Sequence, residues 1–272
     1  MKLMLSVFTL AMLLINFAHA EVVTIGCATK CDVFFKIALK RVGKIKGVKV
    51  NLIDVSRAGP EIDWVKYDAI ILPGGADIDP KYYLSKVEPE LRDYTQSLDH
   101  LVNYSAEGRR RDPIEFGLLE KYFANSELET LPVLGVCRGM QMLAVSQGIP
   151  LYVDIKTELE IRNRRYLYDR IVMEPGTTLM NELFTKTFRG FKRHHQGIRV
   201  SYFLENAARW PQLNVTSYSN NGQVAESLEF KDRPVLGVQF HPENDFGFER
   251  NRVFGWLLEK AIEHKSQKIK NF

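Results

Sequence analysis

LGVCRGMQML, residues Leu134–Leu143, sets a cysteine between two glycines, behind an apolar run and ahead of a helical pattern. The apolar run Leu131–Val136 (LPVLGV) predicts a strand, and Gly139–Ser146 predicts a helix. Gly135-Val136-Cys137-Arg138-Gly139 therefore has the G-x-nucleophile-x-G form in a strand-to-helix context, which is what a nucleophile elbow requires. The turn is so sharp that its flanking residues must be small. It holds the nucleophile in strained backbone and projects it above the sheet. The amides at the start of the following helix aim partial positive charge at the sulfur and favour a thiolate. The alternative is a buried structural cysteine between packing glycines.

Working outward, Glu21–Gly26, Val48–Val55 and Asp68–Leu72 predict further strands, and Asp32–Val42 has helical apolar spacing. Tyr82–Gly108 is polar and charged and predicts an insertion with one helical piece. Asp112 as N-cap, Pro113 at the first helical position and Glu115 three residues on predict a helix start. Strands alternating with helices argue for an α/β fold with a mostly parallel central sheet covered on both faces. Beyond Leu151 the pattern changes. Arg165–Val172, Arg199–Tyr202, Val215–Tyr218, Gln223–Phe230 and Val235–Phe240 predict additional strands, closed by a helix over Phe246–Glu263.

A thiolate nucleophile needs a base, and the base needs an orienting group. Among the six histidines, His241 ends a predicted strand in Val238-Gln-Phe-His-Pro-Glu243. Pro242 biases it to an extended conformation, in which Glu243, two residues on, projects to the same side. That carboxylate would set the imidazole tautomer and stabilise the imidazolium. A third element is Leu72-Pro-Gly-Gly-Ala-Asp77. Its paired glycines allow close backbone approach, and their amides, with that of Arg138, could bind an oxyanion.

The whole chain sets outer bounds. Its 272 residues carry a net charge of +4, and Arg109–Arg111 is the densest basic patch. No aromatic-basic stripe accompanies it, so nucleic-acid binding is not expected. Residues 1–20, MKLMLSVFTLAMLLINFAHA, read as a secretory signal with Ala18-His19-Ala20 as its cleavage pattern. The apolar run from Leu3 to Phe17 is short for a membrane span, so no stable insertion is expected after cleavage. The expectation is a secreted or periplasmic protein with one domain over 21–272; an uncleaved anchor is the alternative. In an oxidising compartment Cys27 and Cys31 either form a small-loop disulfide or are two buried small residues. Cys137 is then the odd, reactive thiol. A metal site built on Cys137 and His241 would lack close ligand spacing, so neither a metal nor another cofactor is expected.

Taken in order, LPGGADIDP, LGVCRGMQML, LYVDI, HHQGI and VQFHPE resemble the class I glutamine amidotransferase-like hydrolases, on the peptidase C26 branch that includes γ-glutamyl hydrolases. The resemblance spans roughly Val22 to Glu263 and implies a flavodoxin-like three-layer sandwich with the elbow at a strand's carboxyl end. It implies Cys137, His241 and Glu243 as catalytic residues and the backbone of Gly75 and Arg138 as oxyanion donors. It implies Gly74, Gln141, His194, His195 and Gln196 as substrate contacts. Two departures lie near the expected pocket. Phe191-Lys192-Arg193 stands where relatives often carry Asn-Ser, and Glu226 falls one place later than the usual acid. No P-loop pattern occurs in these residues, so the expected reaction is hydrolysis of a small γ-glutamyl amide or isopeptide through a thioester. A glutaminase subunit of an amidotransferase and a non-catalytic γ-glutamyl sensor are the alternatives. Oligomeric state is left open, a homodimer included.

Overall fold

The protein is described by a computed structural model covering residues 21–57, 61–161, 167–245 and 248–270. The expected signal segment, 1–20, lies outside the described residues, as do the first two residues of the predicted strand Arg165–Val172. The strands are β1 (Val22–Cys27), β2 (Lys49–Asp54), β3 (Ala69–Leu72), β4 (Val133–Val136), β5 (Leu151–Tyr152), β6 (Leu167–Met173), β7 (Thr187–Lys192), β8 (Gly197–Ile198), β9 (Leu213–Ser219), β10 (Val224–Phe230) and β11 (Val235–Val238). Among the described residues, nine of them form one sheet in the order β2-β1-β3-β4-β11-β10-β9-β6-β7. The first five strands of that order are mutually parallel. The remaining pairings are antiparallel, and β5 pairs with β8 apart from the main sheet.

Period-two alternation builds three layers from this sheet. Ile70, Leu72 and Val133 point to one face, where they meet Leu118, Leu119 and Tyr122 of helix Ala106–Ala124 and Met140 and Leu143 of helix Arg138–Ser146. Ala69, Ile71, Leu134 and Val136 point to the other face, against Phe35, Leu39 and Val42 of helix Val33–Lys46 and Phe254, Leu257 and Leu258 of helix Phe248–Lys270. These four helices are α1 (Val33–Lys46), α2 (Ala106–Ala124), α3 (Arg138–Ser146) and α4 (Phe248–Lys270). Asp32 caps α1, accepting from the amides of Phe34 and Phe35. The flavodoxin-like sandwich with added antiparallel strands is thus the observed architecture. Its parallel strands bring their carboxyl ends to one rim.

Several local expectations are corrected. The helix expected to begin at Asp112 begins seven residues earlier, capped by Ser105, whose Oγ accepts from Gly108 N at 3.0 Å. Pro113 lies inside it, and the Asp112 carboxylate bonds Arg138 rather than its own helix end. Arg199–Tyr202, expected as a strand, is the start of the helical turn Val200–Glu205, because Val200, Tyr202 and Phe203 are all buried together. The polar insertion holds two short helices, Lys81–Leu84 and Pro89–Ser97, ahead of α2. Strand β7 was not anticipated. Cys27 and Cys31 are joined by a disulfide, which leaves Cys137 as the free cysteine.

Candidate active site

Cys137 follows β4 directly and caps α3 with φ 52° and ψ −107°. That left-handed backbone costs a non-glycine residue about 1–3 kcal/mol and persists only where the surroundings enforce it. Here they do. The Cys137 amide donates to Val238 O of β11 at 2.7 Å. The elbow also depends on a missing side chain: a Cβ on Gly139 would lie 2.0 Å from Leu72 O of β3. Glycine at 139 lets α3 start against the sheet.

The sulfur opens on a cavity of 370 Å³ at the carboxyl rim of the parallel strands. Cys137, His241, Glu243, Gly74 and Gly75 all line it. Gly74 sits between the first two, since a Cβ there would stand 3.0 Å from His241 Cε1 and 3.6 Å from Cys137 Cβ. His241 is anchored by its amide, which donates to Phe191 O of β7 at 2.9 Å. The antiparallel extension of the sheet therefore positions the imidazole. His241 Nδ1 lies 2.6 Å from Glu243 Oε1. This pairing differs in detail from the expectation: Pro242 opens a single 3₁₀ turn, Pro242–Asn244, and the turn brings the carboxylate back under the ring. Burial opposes a charge on His241, but the facing Cys137 sulfur and the Glu243 carboxylate outweigh it and raise its pKa well above the ordinary histidine value. Its Nε2 is buried and has no nitrogen or oxygen partner among the described residues.

The Pro73–Asp77 loop is held by two buried arginines. Arg111 donates to Pro73 O and Gly74 O, both at 2.8 Å. Arg138 donates to Ala76 O at 2.9 Å and Asp77 O at 3.2 Å. Glu115 joins the two guanidiniums, accepting from Arg111 Nε at 2.9 Å and Arg138 Nε at 3.1 Å. Asp112 Oδ1 accepts from Arg138 Nη2 at 2.6 Å. Gly75 has to be glycine for this arrangement, because a Cβ would fall 2.0 Å from Arg111 Nη1. In the sequence Arg109–Arg111 stands out only as the densest basic patch, and this network is not foreseen. The available signal was the four-residue spacing of Glu107, Arg111 and Glu115, which stacks them on one helix face.

The structure does not bring Gln141, His194, His195 or Gln196 to the cavity. They form a layer behind the loop. Gln196 Oε1 accepts from Ile78 N at 3.0 Å, and Gln141 Nε2 donates to Gln196 O at 2.9 Å. His195 stands between Asp77 and Asp154, at 2.8 and 3.2 Å. Burial pushes His194 down to about 3, so it is neutral at physiological pH. Of the two departures, Arg193 lines the cavity. Glu226 does not; it is buried beside Ser219, whose Oγ donates to it at 2.6 Å, and burial pushes its carboxyl up to about 8. Among the described residues, no group of three or more His, Cys, Asp or Glu is placed to hold a metal ion.

An elbow cysteine at the rim of a parallel sheet, faced by a histidine–carboxylate pair, is the layout of a class I glutamine amidotransferase-like domain. The glutaminase domain of Trypanosoma brucei CTPS, solved with bound acivicin, has the same fold: TM-score 0.62 at 14% identity, covering 89% of this chain and 94% of that one. The chain belongs to the peptidase C26 family, whose family model matches residues 60–243. A Schizosaccharomyces pombe protein provisionally named a glutamine amidotransferase is 30% identical over 208 residues, 74% of this chain and 72% of that protein. Protein NtpR of Enterococcus hirae is 31% identical over 186 residues, covering 65% of this chain and 66% of its own length. The family is one of hydrolases and amidotransferase-type enzymes.

Proposed function

We propose that this chain hydrolyses γ-glutamyl amide or isopeptide bonds of small molecules, with Cys137, His241 and Glu243 as its triad. The observation that carries the reading is the convergence of Cys137, His241 and Gly74 at one cavity, from segments far apart in sequence.

In the proposed reaction the Cys137 thiol passes its proton to His241 Nε2 and its sulfur attacks the γ-carbonyl carbon, while the C=O electron pair moves onto oxygen. The four loop carbonyls at Pro73, Gly74, Ala76 and Asp77 are committed to guanidiniums. This supports the Gly75 amide, with that of Arg138 at the helix start, as the donors to that oxygen. Collapse breaks the C–N bond, and His241 Nε2 gives its proton to the departing amine. Water then attacks the thioester, and His241 accepts the water's proton. The C–S bond breaks, releasing a glutamate carboxylate and restoring the sulfur. Glu243 keeps Nδ1 protonated, so Nε2 is the nitrogen that shuttles the proton. Removing one oxyanion donor typically costs about 10²–10³ in rate.

A second reading is a glutaminase that supplies ammonia to a synthase, which the fold shared with a solved glutaminase domain favours. Purified protein incubated with γ-glutamyl peptides, γ-glutamyl amines and glutamine separates the two. The hydrolase reading expects glutamate release from γ-glutamyl peptides or amines by the parent and none by Cys137→Ala. Turnover of glutamine alone would replace it with the glutaminase reading, and no turnover of any of these would remove both. We also propose that the chain acts in the secreted or periplasmic space; the signal-like sequence of residues 1–20 and the Cys27–Cys31 disulfide support this.

A further inference from the structure

The disulfide between Cys27 and Cys31 closes a loop of five residues between β1 and α1, at the same rim as the elbow. Four of the five are buried: Cys27, Ala28, Thr29 and Cys31. The loop is also fastened from within. The Ala28 amide donates to Ile71 O of β3 at 2.8 Å, and Thr29 Oγ1 donates to Glu115 Oε1 at 3.2 Å. That glutamate is the one joining Arg111 to Arg138 beneath the Pro73–Asp77 loop. Lys30 is the single exposed member, and it lines the Cys137 cavity.

The charges around it leave Lys30 without a carboxylate. Each acid lining the cavity is already engaged: Glu107 with Arg111, Glu243 with His241, and Asp32 with the amides of Phe34 and Phe35. No ion pair involves Lys30 among the described residues. Lys30 also borders a neighbouring depression of 200 Å³ that is lined by Lys36 and Arg57. The one acid there, Asp54, pairs with Arg57 at 3.3 Å. Lys30 therefore joins the Cys137 cavity, which Arg111 and Arg193 also line, to a basic depression that leads outward from it.

We infer that Lys30, fixed in place by the disulfide loop, is a specificity residue that binds a carboxylate on the leaving group, so that γ-glutamyl compounds releasing an amino acid or peptide are preferred over those releasing a neutral amine. This rests on the hydrolase reading. A cation on a flexible stem gains little from an ion pair when it must also be ordered. Anchoring the four neighbouring residues removes the backbone share of that ordering cost before substrate arrives.

The test compares kcat/KM for γ-glutamylglutamate with that for γ-glutamylethylamide, in the parent and in Lys30→Gln and Lys30→Glu. The expected result is a fall of about fivefold in the acidic-to-neutral ratio for Lys30→Gln, with a larger fall for Lys30→Glu and a loss of the difference at high salt. A Cys27→Ser/Cys31→Ser double variant should lower the same ratio. An unchanged ratio in both lysine variants overturns the inference. Calorimetric binding of γ-glutamylglutamate to Cys137→Ala, with and without Lys30→Gln, gives an arm independent of turnover. If the parent hydrolyses nothing, the hydrolase reading falls, and this arm still decides the role of Lys30. Equal affinity in the two variants, or no binding by either, overturns it.

Discussion

Glu115→Gln tests the network beneath the site. Glu115 is fully buried, and its two oxygens serve different arginines: Oε1 accepts from Arg111 and Thr29, and Oε2 from Arg138. Glutamine has almost the same shape but removes the charge and puts an NH₂ where one oxygen accepts. One arginine then faces a donor, and the two buried guanidiniums are left with buried Asp112 beside Arg138 and exposed Glu107 beside Arg111. Breaking a buried pair by removing one partner costs about 3–5 kcal/mol. At about 2–4 °C per kcal/mol for a chain of this size, Tm should fall by about 10 °C. Because the same guanidiniums hold the carbonyls of Pro73, Gly74, Ala76 and Asp77, the loop should loosen as well. If the loop supplies an oxyanion donor, kcat should fall by about 10²-fold at temperatures where the variant is still folded. Thermal melts read the first effect and steady-state kinetics on a γ-glutamyl peptide read the second. Glu120→Gln, an exposed position on the same helix, serves as the control and should shift stability by no more than about 0.5 kcal/mol. A Glu115→Gln protein melting within about 2 °C of the parent would refute the argument that this carboxylate compensates the two arginines.

Other outcomes follow from the same geometry. Gly139→Ala places a Cβ 2.0 Å from Leu72 O, so helix and strand must part; the expected result is loss of activity with a lowered Tm, read by circular dichroism melts and glutamate release. Glu243→Gln withdraws a charge that holds the His241 pKa up, so the alkaline limb of the kcat/KM profile should move to lower pH while kcat drops by about 10²–10⁴. Glu226, raised by burial from 4.5 to about 8, holds a proton in the folded chain that the unfolded chain has already lost. Its contribution is full below about 4.5 and drains away as pH rises toward 8, at on the order of 1 kcal/mol per pH unit. Asp169 and Lys192 also face this carboxyl, with opposite effects on it. Urea midpoints at pH 5 and 7.5 should therefore separate less in Glu226→Gln than in the parent, and an unchanged separation would show that Glu226 titrates near its ordinary value.

What could be read from the sequence is what the chain determines locally. Gly135, Cys137 and Gly139 sit within five residues, and the strand and helix on either side identify themselves by period, so the elbow follows from short-range sterics. His241 and Glu243 are two residues apart, and only the manner of their pairing was misread: Pro242 starts a 3₁₀ turn instead of extending the strand. The arginine network was invisible for the opposite reason. Arg138 reaches Ala76 and Asp112, positions 62 and 26 residues away, and nothing near Arg138 in sequence marks its side chain as buried. The same long-range bond explains the misplaced helix start. Asp112, Pro113 and Glu115 satisfy a capping pattern, but tertiary contacts with Arg138 and Asp79 N claim the aspartate, and Ser105 caps instead. Capping rules compare local partners and cannot register a guanidinium arriving from another element.

The histidine pair makes a sharper point about positioning. HHQ begins two residues after β7, the strand whose Phe191 carbonyl anchors His241; that strand was not anticipated, so the pair's nearness to the site was legible only through the family resemblance. Which side of the Pro73–Asp77 loop it occupies was not, because that depends on how β5 and β8 pair away from the main sheet. Gln196 and His195 then meet Ile78 and Asp77 at the loop's outgoing end, and neither lines the cavity. The loop is thus gripped by arginines through its carbonyls and by this layer at its outgoing end. A loop fixed from both sides can hold donors where charge develops without reorganising during the reaction, which is the condition under which backbone amides are effective in such chemistry. On this argument His195→Gln should act by loosening the loop, lowering kcat while leaving KM nearly unchanged. A rise in KM at constant kcat would instead place His195 against the substrate.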